Sequence, residues 1–515
     1  MTPRKDIFYV TTPIYYPNDV PHIGHAYTTV ATDFVARHHR LLGERAFFLT
    51  GTDEHGKKVP QAAEEQGLEP QAFVDRMEPR WREVWERLEI SNDDYIRTTE
   101  PRHEKAVAKL LQAVHDNGRE DIYLGTYEGL YCVSCEAYYT EDELVGGMCP
   151  IHGRPVEQMT EENYFFRLSA YQDRLLAHYE ARPEAIEPET RRNEVLSLIR
   201  GGLQDFSISR TSFAWGVPLP WDPKHVCYVW FDALTNYLTA AGYADDPDRF
   251  ARMWPADIHF IGKDILRFHA VYWPAMLMAG GVEPPTQVWA HGFLLVGGEK
   301  MSKTKLTGIH PFELIDAFGV DSYRYYFLRE ISFGQDGSFS WESMVARHNA
   351  DLANGLGNLA SRVLAMLGSG FGGVVPEPTV DGLDGGLPAT VADVAARYER
   401  HMREVALSPA LAVVWEIVGR ANEYLVEVEP WKTAKDPAKR EETATVLYTA
   451  AEVLRVLAVL ISPIMPSAAG RLWGQLGIAE PLEDRRLPDA AAWGGLAPGT
   501  KTTKGESLFP RVEDR

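Results

Sequence analysis

Cysteine is scarce: four residues in 515 cannot make a disulfide scaffold. Three of the four lie between Cys132 and Cys149, a clustering that points to metal rather than oxidation. An excess of positive charge is also missing. The 52 Lys and Arg are outnumbered by 73 Asp and Glu, for a formal charge of −21, so binding to nucleic acid or anionic membrane cannot be driven by the overall field. The region from Asp351 onward, with 17 basic and 22 acidic side chains, is no basic arm either. The first residues, TPRKDIFYV after Met1, lack the apolar stretch and cleavage site of a secretory signal, and no uninterrupted apolar run approaches a bilayer's width. The expectation is a cytoplasmic chain without a membrane partner. Repeats and low-complexity tracts are absent, and a 45% apolar, 24% charged composition is that of a chain that folds, at a length that implies several packed units.

What is present alternates. IFYVTT reads as a strand, PIYYPNDVP as a proline-broken loop, GHAYTTVATDFVARHHRLLG as a helix, and AFFLTG at 46–51 as a second strand. Such alternation predicts a parallel α/β sheet with its ligand crevice at the carboxyl ends of the strands. Residues 1–120 form the first half of this unit. Residues 121–225, with short segments, tight turns and the clustered cysteines, read as an insertion. The sheet resumes over 226–290, where VCYVWFDAL, DIHFIG and VWAHGFLLV are strand candidates and DILRFHAVYWPAMLMAG a strong helix. After a connecting region at 291–350, residues 351–515 are predicted to be an α-helical bundle, interrupted by a Gly/Pro loop over roughly 368–389.

PHIGH places His22 and His25 three residues apart around Gly24, where the loop meets the helix. A helix amino terminus offers free N–H groups to phosphate, Gly24 permits close approach, and two imidazoles can donate to phosphoryl oxygens as charge accumulates. Far downstream GGEKMSKT supplies Lys300 and Lys303 in a glycine-flanked loop, expected to be mobile, whose ammonium groups suit a triphosphate. In FIGKDI, Asp264 either caps a helix start or hydrogen-bonds ribose. CVSC at 132–135 and CPIH at 149–152 make a C-x₂-C…C-x₂-H set: Cys132, Cys135, Cys149 and His152 fill a tetrahedral Zn²⁺ ion, one per chain. No coordination position stays open, so the ion is structural. A redox CxxC is the alternative there. Cys227 is left as a buried thiol.

The pair PHIGH and KMSKT, in that order around an α/β sheet, resembles the HIGH and KMSKS signatures of class I aminoacyl-tRNA synthetases. YVTTPIYYPNDVPHIGHAYTT, FLTGTDEHG, YVWFDALTNY and HFIGKDILRFHAVYWPAML resemble the methionyl members in particular, and the similarity runs across essentially the whole chain. Thr304 stands where the signature often has serine, and KLTGIHP departs from the usual continuation. The resemblance implies a Rossmann-like catalytic domain with a zinc-knuckle insertion, a signature-loop and stem-contact region, and an anticodon-binding bundle. It implies ATP with Mg²⁺, L-methionine and tRNA(Met) as partners. His22, Gly24, His25, Asp264, Lys300 and Lys303 would then bind ATP, with His22, His25, Lys300 and Lys303 stabilising the transition state. Ile14, Tyr16, Trp230, Ala233, Leu234, Tyr237, His269 and Trp273 would surround the methionine side chain, and Asp53 would meet its ammonium. Those aromatics could equally be plain core. GNLASR and EPWKTAK resemble the elements that read the CAU anticodon, giving Asn358 and Arg362 base edges and Trp431 a stacked base; Trp431 could instead pack the bundle. The absence of a further carboxyl-terminal module points to a monomer. An insertion of about a hundred residues with a metal knuckle, in place of a large editing domain, fits methionine, because one methylene gives only ~1–3 kcal/mol of discrimination. The rivals are a class I synthetase for another amino acid, a catalytically silent synthetase-like RNA-binding protein, and a small nucleotidyltransferase with an HxGH turn.

Overall fold

The computed structural model describes residues 5–135, 137–139, 141–151, 153–296, 299–300 and 309–513. Its centre is a six-stranded sheet built from β1 (Phe8–Thr11), β2 (Ala46–Thr52), β3 (Asp94–Arg97), β4 (Ile186–Glu187), β5 (Ile258–Gly262) and β6 (Gln287–His291), in the order β3-β2-β1-β5-β6-β4. Every neighbouring pair is parallel. The strands are short, β-branched and aromatic, and nearly all buried, as sheets covered on both faces must be. The chain walks outward from β1 to β3, then returns to pair β5 against the other side of β1. That reversal opens a crevice at the carboxyl ends of β1 and β5.

Helix α1 (Ile23–Leu41) leaves this crevice with its amino terminus pointing into it, and packs Ile23, Ala26, Tyr27, Val30 and Phe34 without exposure. Two departures from the sequence pattern shape the site. VWFDAL is not a continuation of the strand Asp222–Cys227 but a helix, Val229–Leu234, buried on all sides, which is why its run of apolar residues lacks amphipathic spacing. The segment expected as one helix over 264–280 is a 3₁₀ turn (Lys263–Ile265), a π turn (Phe268–Tyr272) and an α-helix (Trp273–Ala279). Pro274 has no N–H to give the Ala270 carbonyl, and the Tyr179 hydroxyl takes that carbonyl instead, at 2.6 Å. The insertion also returns to the sheet: β4 lies inside residues 121–225 and pairs Ile186 with Val288.

Beyond Ser340 the described chain is helical, with Asn358–Phe371, Leu387–Arg403, Leu407–Val428, Arg440–Ile461 and Pro466–Leu476 around one core; the only bridge is Val374 with Lys501. Among the described residues one stretch, Pro437–Ile461, is long and apolar enough to cross a bilayer, and its apolar window is wholly buried in this bundle. The bundle is joined to the sheet unit by Arg324, on the helix Val320–Glu330. Its guanidinium donates to Asp33 of α1 (2.6 Å), to the carbonyls of Leu88 (2.9 Å), Pro463 (3.1 Å) and Ile464 (2.7 Å), and is fully buried, as is Asp33. Burial would raise the Asp33 carboxyl, but Arg37 and Arg324 outweigh it and hold it at about 2. Arg324→Met should cost about 3–5 kcal/mol, because it leaves a buried carboxylate short of a partner. Urea unfolding measures this; a loss under ~1 kcal/mol would show that the pair does not hold the modules together.

Candidate active site

His22 is the N-cap of α1, and both imidazoles are locked by backbone bonds. The Gly24 N–H donates to His22 Nδ1 at 3.1 Å and the His22 N–H donates to His25 Nδ1 at 3.3 Å, a capping box made entirely of histidines. With Nδ1 accepting, each neutral ring carries its proton on Nε2. The rings stack at 3.7 Å beside the positive end of the helix. A Cβ at Gly24 would sit 3.0 Å from the His22 ring, so the glycine leaves room for that ring beside the backbone. At the other side of the crevice His291, ending β6, accepts from the Thr28 hydroxyl at Nε2 (2.7 Å) and donates from Nδ1 to the Gly292 carbonyl (2.8 Å), tying α1 to the strand.

Asp264 follows β5 and is exposed at the crevice; no side chain caps its 3₁₀ turn. Of the two roles its sequence allowed, capping is the one the geometry drops. The strand Glu299–Lys300 pairs antiparallel with Leu294–Val296, so the backbone at Lys300 stands on a hairpin rising from the end of β6. Lys303 and Thr304 lie outside the described residues.

The methionine-pocket candidates converge. Trp230, Ala233 and Leu234 come from the Val229–Leu234 helix, Tyr237 from Asn236–Ala241, and His269 and Trp273 from the π turn and the helix after it; all six are buried. Ile14 and Tyr16 flank Tyr15, whose carbonyl accepts from the N–H of Asp53 at 2.8 Å, so the acidic residue and the loop after β1 share one wall. Tyr237 donates to His269 Nε2 (2.8 Å), and His269 Nδ1 donates to the Ile265 carbonyl (3.0 Å). Burial pushes His269 down to about 4, so the imidazole is neutral at physiological pH. Phe268, absent from the residues singled out in the sequence, stacks on Trp230 at 3.9 Å with the planes 4° apart. It precedes His269 on the π turn, which sets its ring against one of the predicted methionine-pocket residues.

Cys132, Cys135 and Cys149 have their sulfurs within 4.8 Å of one another and are buried, so they could hold a metal ion. Cys135 and Cys149 are 3.7 Å apart, and ligands at about 2.3 Å from a tetrahedral ion would be about 3.8 Å from each other. The hydrogen bond with Cys132, then burial, push the Cys135 thiol far up, so a thiolate there calls for a cation. His152 lies outside the described residues. Trp230 donates its indole N–H to the Cys135 carbonyl (3.3 Å), linking the knuckle to the pocket. Cys227 is a buried thiol, pushed up by burial.

In the helical module, Asn358 and Arg362 lie one turn apart on Asn358–Phe371, and the Arg362 guanidinium sits 5.1 Å over the ring of Trp431. Arg362, Ala365, Met366 and Trp431 line an open cavity of about 360 Å³. Trp431 is 37% exposed, so it is not simply bundle core.

An adenylating crevice of this build, followed by an all-helical module, defines the class I aminoacyl-tRNA synthetases. Residues 8–161 and 151–364 match the family described as tRNA synthetases class I (M), and residues 375–515 match the anticodon binding domain of methionyl tRNA ligase. A methionine–tRNA ligase of Streptomyces coelicolor is 53% identical over 99% of this chain and 97% of its own length, and one of Bacillus subtilis is 47% identical over 100% of this chain and 79% of its own. The solved structure of Mycobacterium tuberculosis methionyl-tRNA synthetase with methionyl-adenylate is similar with a TM-score of 0.92 at 48% identity, covering 98% of this chain and 100% of that one. The chain belongs to the methionyl-tRNA synthetases.

A thiol reagent should report on the cysteine cluster: none of the four cysteines reacts in the folded, untreated protein, and three react after a strong chelator, while Cys227 waits for unfolding. Unchanged reactivity after chelation would remove the metal site.

Proposed function

We propose that the two histidines and two lysines drive adenylation of methionine here, and the observation that carries this is the pair of stacked imidazoles at the start of α1, each held through Nδ1 by a backbone N–H. The chain is a methionine–tRNA ligase. A carboxylate oxygen of methionine attacks the α-phosphorus of ATP in line, the bond to the β-phosphate oxygen breaks, and pyrophosphate leaves. His22 and His25 donate from Nε2 to the phosphoryl oxygens, and Lys300 and Lys303 neutralise the triphosphate as charge shifts to the leaving group. ATP brings Mg²⁺, which screens its phosphates. Asp264 faces the ribose from the end of β5. A ribose hydroxyl of the terminal adenosine of tRNA(Met) then attacks the adenylate carbonyl, and AMP leaves. No side-chain nucleophile is required.

The amino acid is read by a pocket that is aromatic and uncharged except at Asp53, which takes the α-ammonium. A flexible, polarisable thioether gains from ring edges, and Trp230, Tyr237 and Trp273 with Ile14, Tyr16, Ala233 and Leu234 supply them. Neutral His269, held by Tyr237, keeps that end free of charge. Cys132, Cys135, Cys149 and His152 hold one structural Zn²⁺, which would fix the knuckle against Trp230. In the helical module, Asn358 and Arg362 meet base edges of the anticodon and Trp431 stacks a splayed base. The protein works as a cytoplasmic monomer.

Lys303→Ala should lower methionine-dependent ATP–pyrophosphate exchange by about 10²–10³-fold. Trp431→Ala should leave exchange intact and weaken charging of tRNA(Met) by about 1–3 kcal/mol. Normal charging by the Trp431 variant would refute the anticodon assignment, and exchange supported by leucine or cysteine but not methionine would refute the substrate.

A further inference from the structure

Beneath the methionine pocket, and outside every residue assigned to it, lies a buried carboxylate held by two imidazoles. Asp232 accepts from His55 Nδ1–H at 2.6 Å through one oxygen and from His103 Nε2–H at 2.7 Å through the other. All three side chains are at most 5% exposed. Burial would raise the Asp232 carboxyl, but His55 and His103 outweigh it and hold it at about 2; burial likewise opposes a charged His55, yet Asp232 raises its pKa above the ordinary value. A buried carboxylate with both oxygens paired is costly to assemble and rigid once made.

The three residues come from three elements. His55 is two residues beyond Asp53, on the loop that ends β2. Asp232 lies between Trp230 and Ala233 on the Val229–Leu234 helix. His103 is on the helix Pro101–His115, where its Nδ1 is 3.0 Å from the Thr239 hydroxyl. The loop after β2 has other anchors: Asp53 N–H to the Tyr15 carbonyl (2.8 Å), Glu54 N–H to the Thr98 hydroxyl (2.9 Å), and the Trp215 indole to the Glu54 carbonyl (2.7 Å). The Glu54 carboxylate is occupied by Arg97, Thr52 and Thr99. None of these reaches the helix that carries the thioether wall. His55 reaches it through Asp232.

We propose that the His55–Asp232–His103 clamp sets the distance between the ammonium anchor at Asp53 and the thioether wall at Trp230 and Ala233, making Asp232 and His55 positioning residues for methionine specificity. The clamp touches no substrate atom. It acts by holding the two ends of one small ligand's site in register, where a shift near 1 Å can cost about 10²-fold. ATP, bound across the crevice by α1 and the signature hairpin, does not depend on that register. The inference rests on the ligase reading above.

The test is methionine-dependent ATP–pyrophosphate exchange by the full chain carrying Asp232→Asn, His55→Ala or His55→Asn, read as separate KM values for methionine and ATP. Wild type is run alongside: absence of methionine-dependent exchange there would defeat the ligase reading, whereas the clamp is judged from variants of an active wild type. Asp232→Asn and His55→Ala should raise the methionine KM by about tenfold or more and leave the ATP KM within about twofold. His55→Asn, whose amide can donate from the Nδ1 position, should recover most of the loss. An unchanged methionine KM in Asp232→Asn, or methionine and ATP KM values rising together, overturns the proposal. If Asp232→Asn does not fold, the His55 pair decides: equal methionine KM values for alanine and asparagine overturn it.

Discussion

The buried ion pair between Asp33 and Arg324 is the constraint around which this chain is organised. Asp33 sits midway along α1, ten residues after the amino terminus that presents His22 and His25. Its partner arginine spends its remaining donors on carbonyls at the end of the Pro70–Arg87 helix and at the turn after Arg440–Ile461. One guanidinium therefore registers α1, the helix Val320–Glu330 that carries it and the helical module. A planar fork of fixed donors can do this, where a single ammonium could not. Water is excluded, so each of these bonds is made at full strength or leaves a buried polar atom unsatisfied. The separation between the adenylating crevice and the Arg362–Trp431 cavity is thereby fixed by packed helices rather than by a linker.

Electrostatics divide the catalytic crevice into two halves. On the proposed nucleotide side are the amino terminus of α1 and its two imidazoles, a setting suited to anionic oxygens. On the amino-acid side burial keeps the titratable groups neutral: His269 is pushed down, His259 lies well below its ordinary value, and the Tyr237 hydroxyl is pushed up. In the proposed pocket, with Asp53 at one end, such surroundings would favour an apolar side chain over one bringing a further charge, since burying a charge unpaired costs several kcal/mol. The knuckle closes over this half through the bond from Trp230 to the Cys135 carbonyl and through Arg267, which meets Glu143 at 3.0 Å.

Much of the architecture was legible in residue order. Runs of β-branched, aromatic and other apolar residues marked β1 and β2, and helical spacing marked α1 and the long helices after Arg347. The spacing of Cys132, Cys135 and Cys149 marked a cluster whose sulfurs do come together. What stayed illegible has physical causes. VWFDAL is buried on every side, and a fully buried helix carries no amphipathic period to distinguish it from a strand. The π turn at Phe268–Tyr272 depends on Pro274 and on a hydroxyl ninety-one residues upstream in sequence. The return of β4 from inside the insertion rests on two residues, too few for any pattern to register.

The sequence by itself put two histidines at a helix start and three thiols at ligand spacing, because these follow from residue type and local spacing, whereas an arginine and a tryptophan for bases came from the family resemblance. Tertiary structure alone decided that the Nδ1 atoms of His22 and His25 are held by backbone N–H groups and that His55 and His103 meet at the Asp232 carboxylate. Those outcomes depend on hydrogen-bond directions and on contacts between segments up to 177 residues apart, which no local pattern encodes.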